Sequence, residues 1–85
     1  MKQKTYRQEV VGIYYGHRKS DGSEYTVISY LVDIDERYGI GKEAKTAYIG
    51  KRVTGVKVGD CVMFNTVARG SHVYIDDAIP VKIKN

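Results

Sequence analysis

The sequence predicts an all-β fold, and three observations lead to that prediction. Val, Ile and Tyr dominate two runs near the start of the chain, residues 10–15 and 25–32, and these residue types suit a pleated, half-buried surface. Nine glycines against a single proline indicate frequent turns. No window of about 11 to 18 residues shows a sustained helical period.

Size and composition indicate one small folded domain over residues 1–85. The chain has a mass of 9.6 kDa and is 42% hydrophobic and 28% charged, which excludes a disordered protein. No apolar run approaches the roughly 20 residues that span a bilayer, and no apolar segment like that of a signal peptide follows the basic start. We therefore expect a cytoplasmic protein.

The first two strands are predicted to form a hairpin. They extend from Tyr6 to Tyr15 and from Glu24 to Ile34, and the polar link between them contains the turn signal Asp21-Gly22. Both faces of each strand carry apolar side chains. That pattern is typical of a strongly bent sheet or of a contact between subunits.

Alternation along the first strand predicts which side chains share a face. The prediction places Val11, Ile13 and Tyr15 on one side, and Val10, Gly12 and Tyr14 on the other. Gly12 inside the apolar run marks a bulge or a sharp bend.

The second half of the chain predicts shorter strands separated by glycine turns. Residues 42–45 (KEAK) favour a single helical turn. Strands are expected over residues 46–49, 61–68 and 78–83, with a short extended piece at 73–75.

Two local signals complete the fold prediction. In Val58-Gly59-Asp60, the carboxylate is expected to bond local backbone amides while the glycine adopts the unusual dihedrals. Pro80 cannot donate to a strand ladder, so the last strand is placed at an edge. About five short strands with such turns predict a small, five-stranded, partly open barrel of the OB-fold or SH3-like kind.

Charge and aromatic residues indicate a nucleic-acid partner. The net charge is +4 and the sequence pI is about 9.2, which favours anionic ligands. Tyrosines flank the basic tip of the predicted hairpin, and aromatic rings beside cations can stack on bases and hold phosphates. The candidate nucleic-acid-binding residues are Tyr14, His17, Arg18, Lys19, Tyr25 and Arg69.

No pattern in the sequence indicates catalysis, a metal site or a cofactor. Two histidines and one cysteine give no zinc spacing, and the acidic groups at residues 33–36 and 76–77 match no calcium loop. Cys61 precedes Val62, Met63 and Phe64, so we predict a buried small hydrophobe rather than a nucleophile. We expect a protein that is not an enzyme.

Three short stretches occur in an order that is familiar from a known family. They are Gly22-Ser23-Glu24-Tyr25 after a basic segment, Val32-Asp33 closing the next strand, and Gly70-Ser71 followed by Ile75-Asp76 and a basic C-terminal strand. With these stretches the chain resembles the single-stranded-DNA-binding proteins of filamentous bacteriophages, which are small, helix-poor dimers of OB type.

The resemblance implies a hairpin wing that contacts DNA through arginines and a tyrosine. By position, these residues would be Arg18, Lys19 and Tyr25. The chain departs from the family pattern at Glu24 and Asp77, where basic residues are typical.

These observations predict a homodimer that binds single-stranded DNA or RNA without sequence preference. The resemblance implies a role as an accessory protein of a phage or mobile element. The alternative is a small β-barrel that serves as a protein-interaction module. The charge of +4 favours nucleic-acid binding, whereas the acidic clusters favour protein interaction.

The apolar groups on both faces of the predicted strands exceed what one small barrel can bury, so we predict a dimer in solution. Light scattering at micromolar concentration should return twice the 9.6 kDa of one chain. A mass equal to one chain would contradict the prediction.

Overall fold

The computed structural model describes residues 8–81, which form one antiparallel sheet of five strands. The strands are β1 (Glu9–His17), β2 (Glu24–Asp33), β3 (Lys42–Ile49), β4 (Cys61–Arg69) and β5 (His72–Val81). Their order across the sheet is β3-β2-β1-β4-β5. The all-β prediction is confirmed. A helix with the length and apolar character needed to cross a bilayer is absent from residues 8–81.

The sheet curls into a barrel that is not closed. Strand β5 approaches β3, but the two are not hydrogen-bonded neighbours. Lys51, which follows β3, bridges the opening with its Nζ 3.5 Å from Oδ2 of Asp77 on β5. With β1 between β2 and β4, and β5 facing β3, the strands form a small, partly open barrel.

A bulge in β1 decides which of its side chains enter the core. The register with β2 shifts between Val10 and Gly12, so the predicted bulge is confirmed. The predicted faces are wrong at Val10 and Val11, because the extra residue reverses the alternation. Val10 is fully buried and Val11 is exposed.

The core lies inside the curved sheet. Its buried apolar side chains are Val10, Ile28, Tyr30, Ala47, Ile49, Val53, Val56, Val62 and Ala78. Val53 and Val56 come from the irregular segment between β3 and β4, so this segment fills one part of the barrel. The ring centroids of Tyr30 and Phe64 are 4.9 Å apart, so the two rings pack against each other.

Two features of the second half differ from the sequence prediction. Residues 42–45 are not a helical turn but the first half of β3, where each residue pairs with one on β2. Four residues are too few to hold a helix against a continuous ladder. Strand β5 is also one continuous strand from His72, whereas an interruption at residues 76–77 was expected. The predicted strand residues 6–7 and 82–83 lie outside the described part.

The turn before β4 forms as predicted. Asp60 Oδ2 accepts a hydrogen bond from the Lys57 amide at 2.9 Å, and Gly59 has a φ of 99°. The neighbouring backbone also holds β1, because the Val10 amide donates to the Asp60 carbonyl at 2.8 Å. The turn therefore fixes where β4 meets β1.

A buried hydroxyl ties β2 to the segment that follows β3. Thr26 is fully buried, and its Oγ1 donates to the Lys51 carbonyl at 2.8 Å. The same oxygen accepts from the Val53 amide at 2.9 Å. The bond from the Val53 amide is buried and the bond to the Lys51 carbonyl is part-buried, so the hydroxyl satisfies two backbone groups of a segment without secondary structure.

Replacing Thr26 with Val should destabilise the fold by about 1–3 kcal/mol, because the near-isosteric side chain leaves the Lys51 carbonyl and the Val53 amide without their partner. The free energy of unfolding in urea measures the effect. Thr46→Val on the exposed face of β3 is the matched control and should stay within about 0.5 kcal/mol of wild type. Equal effects of the two changes would contradict this account of the Thr26 hydroxyl.

Candidate nucleic-acid interface

Three tyrosines form a row on the outer face of β1, β2 and β3. Tyr14 and Tyr48 are both paired with Val27, so the three side chains project on the same side of the sheet. Tyr25 lies two residues along β2 from Val27. Its ring centroid is 6.3 Å from that of Tyr14 and 5.2 Å from that of Tyr48, the latter pair stacked at 29°. We call Tyr14, Tyr25 and Tyr48 the tyrosine row.

A glycine makes room for the central ring of the row. Gly16 pairs with Tyr25 across the β1–β2 ladder. A Cβ at Gly16 would lie 2.4 Å from Cζ of Tyr25, a separation that real side chains do not reach. The ring of Tyr25 therefore lies across the backbone of β1, which holds it between Tyr14 and Tyr48.

Arg18 is fixed at the end of the tyrosine row. Its Nε and Nη2 donate to the Tyr48 hydroxyl at 3.1 and 2.8 Å, and its Nη1 donates to the Ser23 hydroxyl at 3.0 Å. A Cβ at Gly50 would lie 3.2 Å from Nη2, so the guanidinium also lies close against the chain after β3. The cation is therefore oriented before any ligand arrives, which reduces the entropy cost of binding.

The hairpin tip that carries Arg18 is a closed turn. The Arg18 amide donates to the Ser23 carbonyl at 2.8 Å, and Gly22 adopts a φ of 75°. Hydrogen bonds from the hydroxyl and the amide of Ser23 hold the pKa of the Asp21 carboxyl below its ordinary value of 3.8. The charged form stabilises the turn, and that contribution is lost only as the pH falls through the lowered pKa.

A groove of about 570 Å³ continues from Arg18 along the opening of the barrel. Its walls come from the β1–β2 tip, the end of β3 and the β4–β5 hairpin. The lining residues are Arg18, Tyr48, Gly50, Lys51, Val67, Arg69, Tyr74, Ile75 and Asp76. Three cations therefore share the groove with two tyrosines and one carboxylate.

The structure brings together four of the six predicted binding residues. Tyr14, Tyr25 and Arg18 belong to the tyrosine row and its end, and Arg69 lines the groove with Arg18. His17 and Lys19 are exposed beside the tip and do not line the groove.

Tyr48, Lys51 and Tyr74 also belong to this surface, and the sequence analysis did not single them out. Tyr48 and Tyr74 are each about half exposed, with relative exposures of 50% and 52%. Tyr48 lies between Ala47 and Ile49, and strand alternation, which puts it on the face opposite these two buried residues, is the signal that could have indicated it. The neighbours of Lys51 and Tyr74 depend on how the barrel curls.

Metal ligands and the lone cysteine are the other groups that the sequence analysis considered. Within residues 8–81, no group of three or more His, Cys, Asp and Glu side chains is placed to hold a metal ion. Cys61 is a free thiol at the start of β4 and is partly rather than fully buried, so the prediction of a buried cysteine is too strong.

Comparisons with protein-family models, with curated proteins and with solved structures find no match to this chain. The resemblance to the DNA-binding proteins of filamentous phages stays a prediction.

Replacing Gly16 with Ala should displace the Tyr25 ring, because the new Cβ and the ring cannot occupy the same space. The loss of stacking should cost about 0.5–1.5 kcal/mol and weaken the tyrosine signal in near-ultraviolet circular dichroism. Gly12→Ala in the same strand is the control, since its Cβ would meet Ser29 at an ordinary 3.6 Å. A near-ultraviolet spectrum unchanged by Gly16→Ala would show that the ring is not held as described.

Proposed function

We propose that this protein binds single-stranded nucleic acid, with bases stacked on the tyrosine row and phosphates held by the cations of the adjoining groove. The observation that carries the proposal is the continuity of the two surfaces. Tyr48 is a member of the row and also lines the groove, and Arg18 bonds to its hydroxyl. A nucleic-acid strand that extends beyond the tyrosine row therefore lies next to the cations of the groove.

The tyrosine row supplies the stacking surface. Tyr14 and Tyr48 have relative exposures of 61% and 50%, whereas Tyr25 is half-buried between them. Exposed rings on a rigid sheet lose little conformational entropy when a base stacks on them. Any base can stack on a tyrosine ring because every base has a π face, so this part of the surface does not discriminate between nucleotide sequences.

The groove supplies the charge. Arg18, Lys51 and Arg69 face a single carboxylate, Asp76, among the lining residues. Lys51 also pairs with Asp77 at 3.5 Å, so part of its charge is already neutralised. The remaining positive charge is of the kind that releases counterions when it neutralises phosphates.

The position of the surface on the fold agrees with this use. In OB-type barrels, oligonucleotides bind on the face of strands 2 and 3 and between the loops joining strands 1–2 and 4–5. The tyrosine row covers that face on β2 and β3, and Arg18 and Arg69 stand at the two loops.

Polarisation titrations with a fluorescent dT oligonucleotide at several salt concentrations test the proposal. Affinity should fall with rising salt at a log–log slope of about −2, from roughly 0.7 for each of three neutralised phosphates. No binding at low salt would refute the proposal, and binding that is independent of salt would refute the role of the groove cations.

Replacing Tyr48 with Ala should weaken binding by about 1–3 kcal/mol while the salt slope changes little, because stacking releases few counterions. Tyr38→Ala is the matched control. Tyr38 has a relative exposure of 81% and lies in the β2–β3 turn, at the other end of β2 from the hairpin tip. Equal losses in the two variants would contradict the assignment of the tyrosine row.

A second candidate function is protein interaction, and the β2–β3 turn is the observation that favours it. Tyr38 and Ile40 project there with relative exposures of 81% and 98%. The turn is held by hydrogen bonds from the Arg37 amide to Asp35 Oδ1 and from the Tyr38 amide to the Asp35 carbonyl. Two apolar side chains on an ordered turn fit a pocket on another protein. If no single strand binds, this function takes precedence.

A further inference from the structure

A second bulge adds an acidic residue to the lining of the groove. In the β4–β5 ladder, Thr66 pairs with Ile75 and Asn65 with Asp77, so Asp76 has no partner opposite it. Bulges commonly redirect a side chain near a binding site. Here the extra residue lies in the groove wall beside Tyr74.

Within residues 8–81, the Asp76 side chain makes no hydrogen bond or ion pair, and it is exposed to solvent. Its neighbour Asp77 differs, because it pairs with Lys51 and accepts from the Ala78 amide at 2.9 Å. A lone carboxylate weakens the attraction of the groove for phosphate. Its acceptor capacity is, however, available to a ligand that donates hydrogen bonds.

We propose that Asp76 accepts a hydrogen bond from the exocyclic amino group of a base in this groove, so that the site favours cytosine over thymine. An ionised carboxylate is acceptor-only. Cytosine presents the N4 amino group as a donor, whereas thymine presents the O4 acceptor at the same position, which repels the carboxylate. Asp76 is then a specificity-determining residue of the nucleic-acid site.

The groove is large enough for one nucleotide. Its volume of about 570 Å³ falls inside the range of roughly 300–1,000 Å³ typical of small-ligand sites. Tyr48 and Tyr74 are the aromatic residues of its lining, and Arg69 is a cation that can contact a phosphate. The inference rests on the proposed function. It implies that the tyrosine row binds without sequence preference, whereas the groove prefers cytosine.

Polarisation titrations with fluorescent dC and dT oligonucleotides of equal length, at neutral pH and constant salt, test the inference. These two pyrimidines are matched in ring size, so stacking contributes nearly equally. Wild-type protein should bind the dC oligonucleotide about fivefold more tightly, the low end for one discriminating contact. Asp76→Ala should bring the ratio to about one, and its affinity for dT should rise because a negative charge is removed.

Asp33→Ala is the matched control. It removes the same charge from an exposed position at the far end of β2, so the dC to dT ratio should remain at its wild-type value. Asp76→Asn serves if the alanine variant does not fold. Its amide can donate to O4 of thymine as well as accept from N4 of cytosine, and it too should bring the ratio to about one.

Two results would overturn the inference alone. One is equal wild-type affinity for the two oligonucleotides, and the other is a ratio that both Asp76 variants retain. A wild-type protein that binds neither oligonucleotide at low salt would refute the proposed function as well, so the two failures are distinguishable.

Discussion

The hydroxyl of Thr26 is the contact on which the barrel and its groove depend. It joins the middle of β2 to a segment without secondary structure, accepting from one backbone amide and donating to one carbonyl. That segment sends Val53 into the core and leaves Lys51 in the groove wall. A single buried side chain thus couples core packing to the position of a charged group on the surface.

The tyrosine row shows how a sheet builds a binding surface from side chains that are distant in sequence. Its three rings come from three strands, and cross-strand register decides that they meet. Gly16 leaves the space for the central ring, and Arg18 anchors the hydroxyl at one end. Each contact limits the freedom of the next, so the surface is ordered before a ligand binds.

Much of the fold could be predicted from sequence because strand and turn signals are local. Runs rich in Val, Ile and Tyr became β1 and β2, and Gly59 with Asp60 formed the expected turn. The prediction of a helical turn at residues 42–45 was wrong, because pairing with β2 outweighs a weak helical preference. The sequence analysis missed Lys51 and Tyr74 for a related reason. Only the curl of the barrel brings these two residues into the same groove as Arg18.

Within residues 8–81, β3 and β5 are the two edge strands of the open barrel. Such edges invite other chains to add strands, the first step of β-sheet aggregation. On β3, Lys42 and Lys45 oppose that addition because their charges would have to lose water. On β5, Pro80 opposes it because proline has no backbone N–H to donate. Neutralising those lysines would make the protein more prone to polymerise through β3 while leaving the tyrosine row intact.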